Sequence, residues 1–285
     1  IVSQMRQLGV SADWSRERFT MDDDLSKTVK KVFIDLFNKG MIYKEKRLIN
    51  WDIKLQTAVS DLEVENKDVN GFLYYIKYPL KKNKGSYITI ATTRPETMLG
   101  DSGVAVHPRD NRFKNFHNDK IILPIIGREV PIVLDEHADP EKGSGAVKIT
   151  PAHDFNDFEV GMRHKLELIN IFDKYGKLNE FTPSDYKGLD RLEARKKILE
   201  ALDKEELLEK KEKYKYTIPY GDRSGEILEP FLTDQWFVDA KKLSKKAIQV
   251  VKNKKISFLP KTWEKTYFDW LENIQPWCIS RQIWW

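Results

Sequence analysis

Apolar residues recur at helical spacing near the start of the chain: Leu25, Val29, Val32, Phe33, Leu36 and Phe37 fall at i, i+4, i+7, i+8, i+11 and i+12. Behind acidic Asp22 to Asp24 and ahead of Gly40, this spacing predicts an amphipathic helix with a glycine stop. From about Gly71 the period shortens. Phe72 to Tyr78 and Tyr87 to Thr93 are β-branched and aromatic, and Asn83-Lys84-Gly85 between them predicts a hairpin turn. Ile121 to Ile126, Val130 to Leu134 and Ala146 to Thr150 predict further strands. Leu189, Leu192, Ile198, Leu199 and Leu202 return to helical spacing, and Leu207 with Leu208 is expected to continue that helix past Asp203. After the polar loop Tyr220 to Gly225 come a lysine-rich stretch and a tail with Trp263, Trp270, Trp277 and Trp284 seven residues apart. Pro276 interrupts that register, so packing against a neighbouring domain is expected rather than a coiled coil.

A length of 285 residues allows about two domains. Charged residues at 33%, apolar at 40% and aromatic at 12% exclude a disordered or low-complexity chain. The net charge of +5 is too small by itself to imply a nucleic-acid partner, but its distribution is uneven. Lys241 to Lys265 holds nine lysines against Glu264 alone, a local +8, which leaves the remainder at −3. The single Cys278 excludes an internal disulfide and a cysteine zinc cluster and fits a reducing compartment, so a cytoplasmic location is expected. No apolar run approaches ~18 residues, and no membrane partner is expected. Ile1 at one end and Trp284-Trp285 at the other lead to the expectation of a segment of something longer.

Three segments can carry chemistry. Ala91 to Asp101 reads ATTRPETMLGD, a strand running into Pro95 and a polar turn, where a scaffold can hold the Thr92 and Thr93 hydroxyls, the Arg94 guanidinium and the Glu96 carboxylate towards a cleft. The plain alternative is ordinary strand threonines and a surface Arg94–Glu96 pair. Val104 to Asp110 offers only His107 before Pro108, a common loop histidine. Gly143 to Gly161 reads GSGAVKITPAHDFNDFEVG and is more informative. Gly143 and Gly145 permit close backbone approach, Ala146 to Thr150 is a short strand, and Asp154 can cap a helix with Asp157 in its first turn. Period two places Lys148 and Thr150 on one strand face, and spacing i, i+3 places Asp154 and Asp157 on one helix face. A cation, a hydroxyl and two carboxylates can thus converge, unless both aspartates merely cap the helix and Lys148 is solvated. A metal held by His107, His153, Asp154 and Asp157 is a competing reading, but no metal-ligand spacing joins them. No nucleophile elbow and no phosphate loop are present.

ATTRPETMLGD together with GSGAVKITPAHD resembles the editing insertion of the class I aminoacyl-tRNA synthetases for valine, isoleucine and leucine. GVSADWSRERFTMD at Gly9 to Asp22, INWDIKLQTAVSDLEVE at Ile49 to Glu65, HDFNDFEVG at His153 to Gly161 and WCISRQIWW at Trp277 to Trp285 are similar to the valine branch of that family. The resemblance implies an α/β architecture: a β-rich, barrel-like editing domain over residues 71–220, with residues 1–70 and 221–285 as flanking helical segments from the class I Rossmann domain. Without their partner, those flanks should expose apolar surface at the Trp-rich tail or fold it back on the N-terminal helix.

The family's ATP signatures, His-Ile-Gly-His and Lys-Met-Ser-Lys-Ser, are absent from this sequence, so the resemblance implies ATP and magnesium for the whole enzyme and no cofactor or metal here. It implies hydrolysis of threonine from mischarged valine tRNA, with that tRNA and the rest of the synthetase as partners and a monomeric state. A valine pocket cannot strongly reject threonine; these enzymes are the established case, at roughly 10²-fold. By resemblance, Asp154 binds the threonine α-ammonium, and Lys148, Thr150 and Asp157 read or frame its hydroxyl. Arg94 with Thr92 and Thr93 holds the ribose and terminal adenosine and helps place a water, His153 gives support behind the site, and Glu96 is counted with the binding set. Thr92, Thr93, Thr150 and Asp154 carry the catalytic expectation, which rests on positioning. Lys142 stands where the family often carries an aromatic that can stack on adenine, and is expected to meet the tRNA by charge instead. A non-catalytic tRNA-binding module and an isoleucine-type editing domain remain as alternatives.

Overall fold

The structure is a computed structural model and describes residues 1–283, so Trp284 and the end of the WCISRQIWW run lie outside the described residues. In chain order the helices are α1 (Val2–Gln7), α2 (Asp23–Asn38), α3 (Phe155–His164), α4 (Arg191–Lys204), α5 (Ala240–Lys252) and α6 (Trp263–Glu272). The strands are β1 (Ile42–Asp52), β2 (Thr57–Val59), β3 (Val64–Pro79), β4 (Tyr87–Thr92), β5 (Gly103–Val106), β6 (Lys120–Ile122), β7 (Glu129–Leu134), β8 (Ala146–Ile149), β9 (Leu208–Gly221), β10 (Glu229–Val238) and β11 (Trp277–Cys278). They divide into two compact units, one of Ile1–Lys44 with Trp236–Trp277 and one of Glu45–Gln235 with Cys278–Trp285.

The larger unit holds the core. β3 is the centre of an antiparallel sheet ordered β4-β3-β9, and a second sheet is ordered β6-β7-β5-β8. In the second, β5 runs parallel to β7 and antiparallel to β8. The class is mixed α/β as expected, and neither sheet closes on itself into a barrel. Period two in β4 turns Ile88 and Ile90 inward against Ile76 and Tyr78 of β3. All four residues of β5 are buried because the strand is covered on both faces: Val104 and Val106 join that large cluster, and Ala105 packs with Ile149 and Val160 of α3. On α4, Ala194, Ile198 and Leu202 form the inward stripe.

Several boundaries differ from the sequence expectation for local reasons. The strand expected over Ile121 to Ile126 stops at Ile122, where Ile125 and Gly127 take positive φ and Leu123 closes a turn with Arg128, making β6 and β7 a hairpin. The helix does not continue through Leu207 and Leu208. Glu206 at φ +57° ends it, and Leu208 opens β9.

In the smaller unit α2 matches the predicted helix, with Gly40 at φ +63° beyond its end. Phe33 and Phe37 meet the Trp236 ring edge-on, at centroid distances of 5.3 and 6.0 Å. Trp263, Trp270 and Trp277 are 58%, 64% and 57% exposed, so the tail exposes apolar surface, the first of the two outcomes expected for it.

Candidate functional site

β4 delivers Thr92 and Arg94 to a turn in which Pro95 starts a fully buried 3₁₀ segment, Pro95–Gly100, ending at Asp101. Thr92 Oγ1 accepts the Arg94 backbone N–H at 3.0 Å, fixing the strand exit, and Thr93 is half-buried beside it. Gly143 lies so close to β4 that a Cβ there would stand 2.8 Å from the Ala91 side chain, the close approach expected of the glycine pair.

β8 brings in the second group. Its register pairs Val104 with Lys148, so Lys148 shares the core-facing side with Val104 while Ile149 faces α3. Lys148 Nζ lies 2.9 Å from Asp101 Oδ1 and also contacts the Thr150 hydroxyl. Thr150 Oγ1 donates to the same Asp101 oxygen at 2.6 Å, and the Tyr78 hydroxyl donates to Asp101 Oδ2 at 2.7 Å. Asp101 is thus a buried carboxylate with three side-chain donors. Burial pushes its pKa up, with Lys148, Thr150 and Tyr78 pulling the other way, while burial and Asp101 together push the Tyr78 phenol well up.

Asp154 caps α3, accepting from the N–H groups of Asn156 and Asp157 at 2.8 and 3.1 Å. One turn on, Asp157 Oδ2 accepts the Thr150 N–H at 2.8 Å, and its Oδ1 lies 3.8 Å from His137 Nε2. Burial first, and Asp154 second, push the Asp157 carboxyl up to about 7.

Arg94 links the two groups. Its Nη1 donates to the His153 carbonyl at 3.2 Å, its Nε to Glu96 at 3.2 Å and its Nη2 to Glu229 at 2.5 Å. Burial opposes its charge, but Glu229 and Glu96 outweigh that and hold its pKa above the ordinary value. The His153 ring is fully buried, accepts the Ile171 N–H at Nε2 (3.0 Å) and meets Phe172 edge-on at 4.7 Å. Burial, with Arg94 and Lys148 nearby, drives its pKa well down, so it is a neutral ring that ties the loop before Ile171 to the site.

The structure therefore gathers Thr92, Thr93, Arg94, Glu96, Lys148, Thr150, His153, Asp154 and Asp157 around one strand exit and one helix start. Lys142, beside Gly143, has an 84% exposed side chain that pairs with Asp139 at 3.4 Å. His107 Nδ1 accepts the Arg109 N–H at 3.1 Å. Among the described residues no three His, Cys, Asp or Glu side chains are grouped as a metal site requires.

Sequence reasoning gave no role to Asp101, Tyr78, Glu229, Arg191 or Arg195. Asp101 stood at the end of the quoted ATTRPETMLGD run, and Arg191 shares a helix face with Ala194, Ile198 and Leu202; a charge on an apolar stripe signals a buried partner.

A profile of the family described as tRNA synthetases class I (I, L, M and V) matches residues 1–285. The chain belongs to that class I family. It is 58% identical to the valine–tRNA ligase of Pelagibacter ubique over 285 residues, all of this chain and 32% of that protein. It is 54% identical to the enzyme of the same name from Mesorhizobium japonicum, covering all of this chain and 33% of the relative. The Coxiella burnetii valine–tRNA ligase is 55% identical, with 31% of its length covered. This synthetase chain thus spans about a third of the length of the curated relatives it matches. Among its described residues no helix is long and apolar enough to cross a membrane.

Proposed function

We propose that these residues hydrolyse the ester of threonine mischarged onto valine tRNA, in a protein that as a whole joins valine to its tRNA in the cytoplasm. The observation that supports this reading is that Lys148, Thr150, Asp154 and Asp157 adjoin one another where β8 leads into α3, a segment that Arg94 holds through the His153 carbonyl at 3.2 Å. A pocket that selects threonine over valine must reward a hydroxyl, and buried polar groups do so because valine in the same place leaves them unpaired, at a cost of about 1–3 kcal/mol. Asp157, poised near neutrality, offers both an acceptor and, when protonated, a donor to that hydroxyl.

Asp154 at the α3 start takes the α-ammonium, and Arg94 with Thr92 and Thr93 takes the terminal ribose. Water attacks the ester carbonyl, the tRNA ribose oxygen leaves, and the proton from water passes to it. The chain's contribution is to hold the ester and the water in line rather than to supply a strong base. ATP and magnesium belong to the proposed activity of the whole protein, and neither ATP signature occurs within these 285 residues.

Deacylation of Thr-tRNA and Val-tRNA, measured side by side on the valine acceptor, tests the reading. Release of threonine in preference to valine is the expected result. Binding of tRNA with a steep salt dependence and no release marks a non-catalytic module instead, and clearance of valine from isoleucine tRNA marks the isoleucine-type activity.

Asp154→Asn separates capping from binding. Asparagine caps as well as aspartate, so stability is expected to hold, while loss of a charge-assisted contact of about 1.5–3 kcal/mol lowers Thr-tRNA deacylation by about 10- to 100-fold. Wild-type deacylation in this variant removes Asp154 from the pocket.

A further inference from the structure

We propose that α4 positions Arg94 for substrate through a partly buried ladder of alternating charges, Arg191–Glu229–Arg94–Glu96–Arg195, with Arg195 acting through Glu96. The inference rests on the reading above that Arg94 holds the tRNA end.

The two ends of the ladder sit four residues apart on one face of α4, a single helical turn, and the 3₁₀ segment carrying Glu96 packs against that helix. Arg195 grips Glu96 with a fork, Nε to Oε2 at 2.7 Å and Nη2 to Oε1 at 2.8 Å. This fixes the plane of the carboxylate, and Oε1 is then presented to Arg94 Nε at 3.2 Å. At the other end Arg191 Nε holds Glu229 Oε1 at 2.9 Å, leaving Oε2 for Arg94 Nη2. Glu96, Glu229 and Arg191 are buried, while the Arg94 and Arg195 side chains remain 27% and 24% exposed.

Each nitrogen of Arg94 therefore has one N–H committed: Nε to Glu96, Nη2 to Glu229 and Nη1 to the His153 carbonyl. A guanidinium has five N–H donors, so one on each terminal nitrogen is left for an oxygen-rich ligand. Their direction is set by the two carboxylates, and the carboxylates are set by α4. Neutralising buried Glu96 would need only one cation, which Arg94 already is. A second one with both prongs engaged adds orientation.

The test is a cycle of Arg195→Gln and Arg94→Ala in the full-length protein that carries these residues, read as kcat/KM for Thr-tRNA deacylation and as thermal melting. Misdirection of Arg94 is expected to cost roughly 10²-fold. In the Arg94→Ala background, Arg195→Gln is expected to have no further effect on kcat/KM, because it has nothing left to aim, while thermal melting drops further because buried Glu96 has then lost both cations. If Arg195→Gln does not fold, Arg195→Lys carries the same cycle: it keeps the charge, loses the fork and is expected to give an intermediate loss that also vanishes without Arg94. An Arg195 variant that deacylates like wild type, or whose loss multiplies with that of Arg94→Ala, overturns the positioning role alone. Wild-type protein that leaves Thr-tRNA intact overturns the hydrolytic reading, and this inference falls with it.

Discussion

Asp101→Ala is expected to lower the free energy of unfolding by about 3–5 kcal/mol, because it strands the Lys148 ammonium in the core. Asp101 is fully buried and accepts from Lys148, Thr150 and Tyr78, and the Lys148 side chain is itself buried. Removing the carboxylate leaves an uncompensated charge and two hydroxyls short of an acceptor. Adding Lys148→Met removes the charge, since methionine fills a similar volume without it. The double variant is expected to recover at least about 1 kcal/mol over Asp101→Ala, with the remaining loss due to the unpaired Tyr78 and Thr150 hydroxyls at about 1–3 kcal/mol each. Urea midpoints at unchanged slope measure the difference. Equal stability of the single and double variants would show that Lys148 reaches solvent once Asp101 is gone, and the account of a closed ion pair would then be wrong.

That ion pair also shows where the sequence is legible and where it is not. Period two put Lys148 and Thr150 on one face, and the Asp154 cap with Asp157 in the first turn was readable from residue types, because strand pleat and helix pitch are local geometry. Their common partner is a long-range fact: Asp101 lies 47 residues from Lys148 in sequence, and Glu96 lies 99 from Arg195. No spacing rule joins a turn to a helix at that distance. β9 escaped for a different reason. From Tyr214 on, β9 does alternate, with Tyr214, Tyr216, Ile218 and Tyr220 on one side and Lys213, Lys215 and Thr217 on the other, but Leu208 to Lys213 is almost wholly charged, so the full strand emerges only from its register with β3, Val64↔Gly221 to Ile76↔Leu208. Likewise the order and open edges of the two sheets depend on which strands pair, which strand patterning alone does not specify.

Asp157→Asn is expected to stabilise the protein relative to wild type progressively as pH rises from about 4 to about 8. The Asp157 carboxyl is raised from 3.8 to about 7 by burial and by Asp154, with Asp101 adding to the repulsion and Lys148 and the Thr150 N–H opposing it. His137 Nε2 at 3.8 Å is the remaining polar group facing its Oδ1. Because the folded-state pKa lies above the unfolded one, the linked stability is fully present below about 3.8 and is lost as pH climbs through about 7. A shift of about three units corresponds to about 4 kcal/mol, an upper figure for this pocket. Asparagine cannot ionise and keeps an oxygen for the Thr150 N–H, so the variant escapes that loss, and the stability gap should widen along this pH window and flatten above it. A gap that stays constant from pH 4 to 8 would mean that Asp157 is ionised throughout. The same titration bears on the chemistry. If protonated Asp157 donates to the substrate hydroxyl, threonine selectivity of the wild type should fall as pH passes about 7, while that of Asp157→Asn stays level.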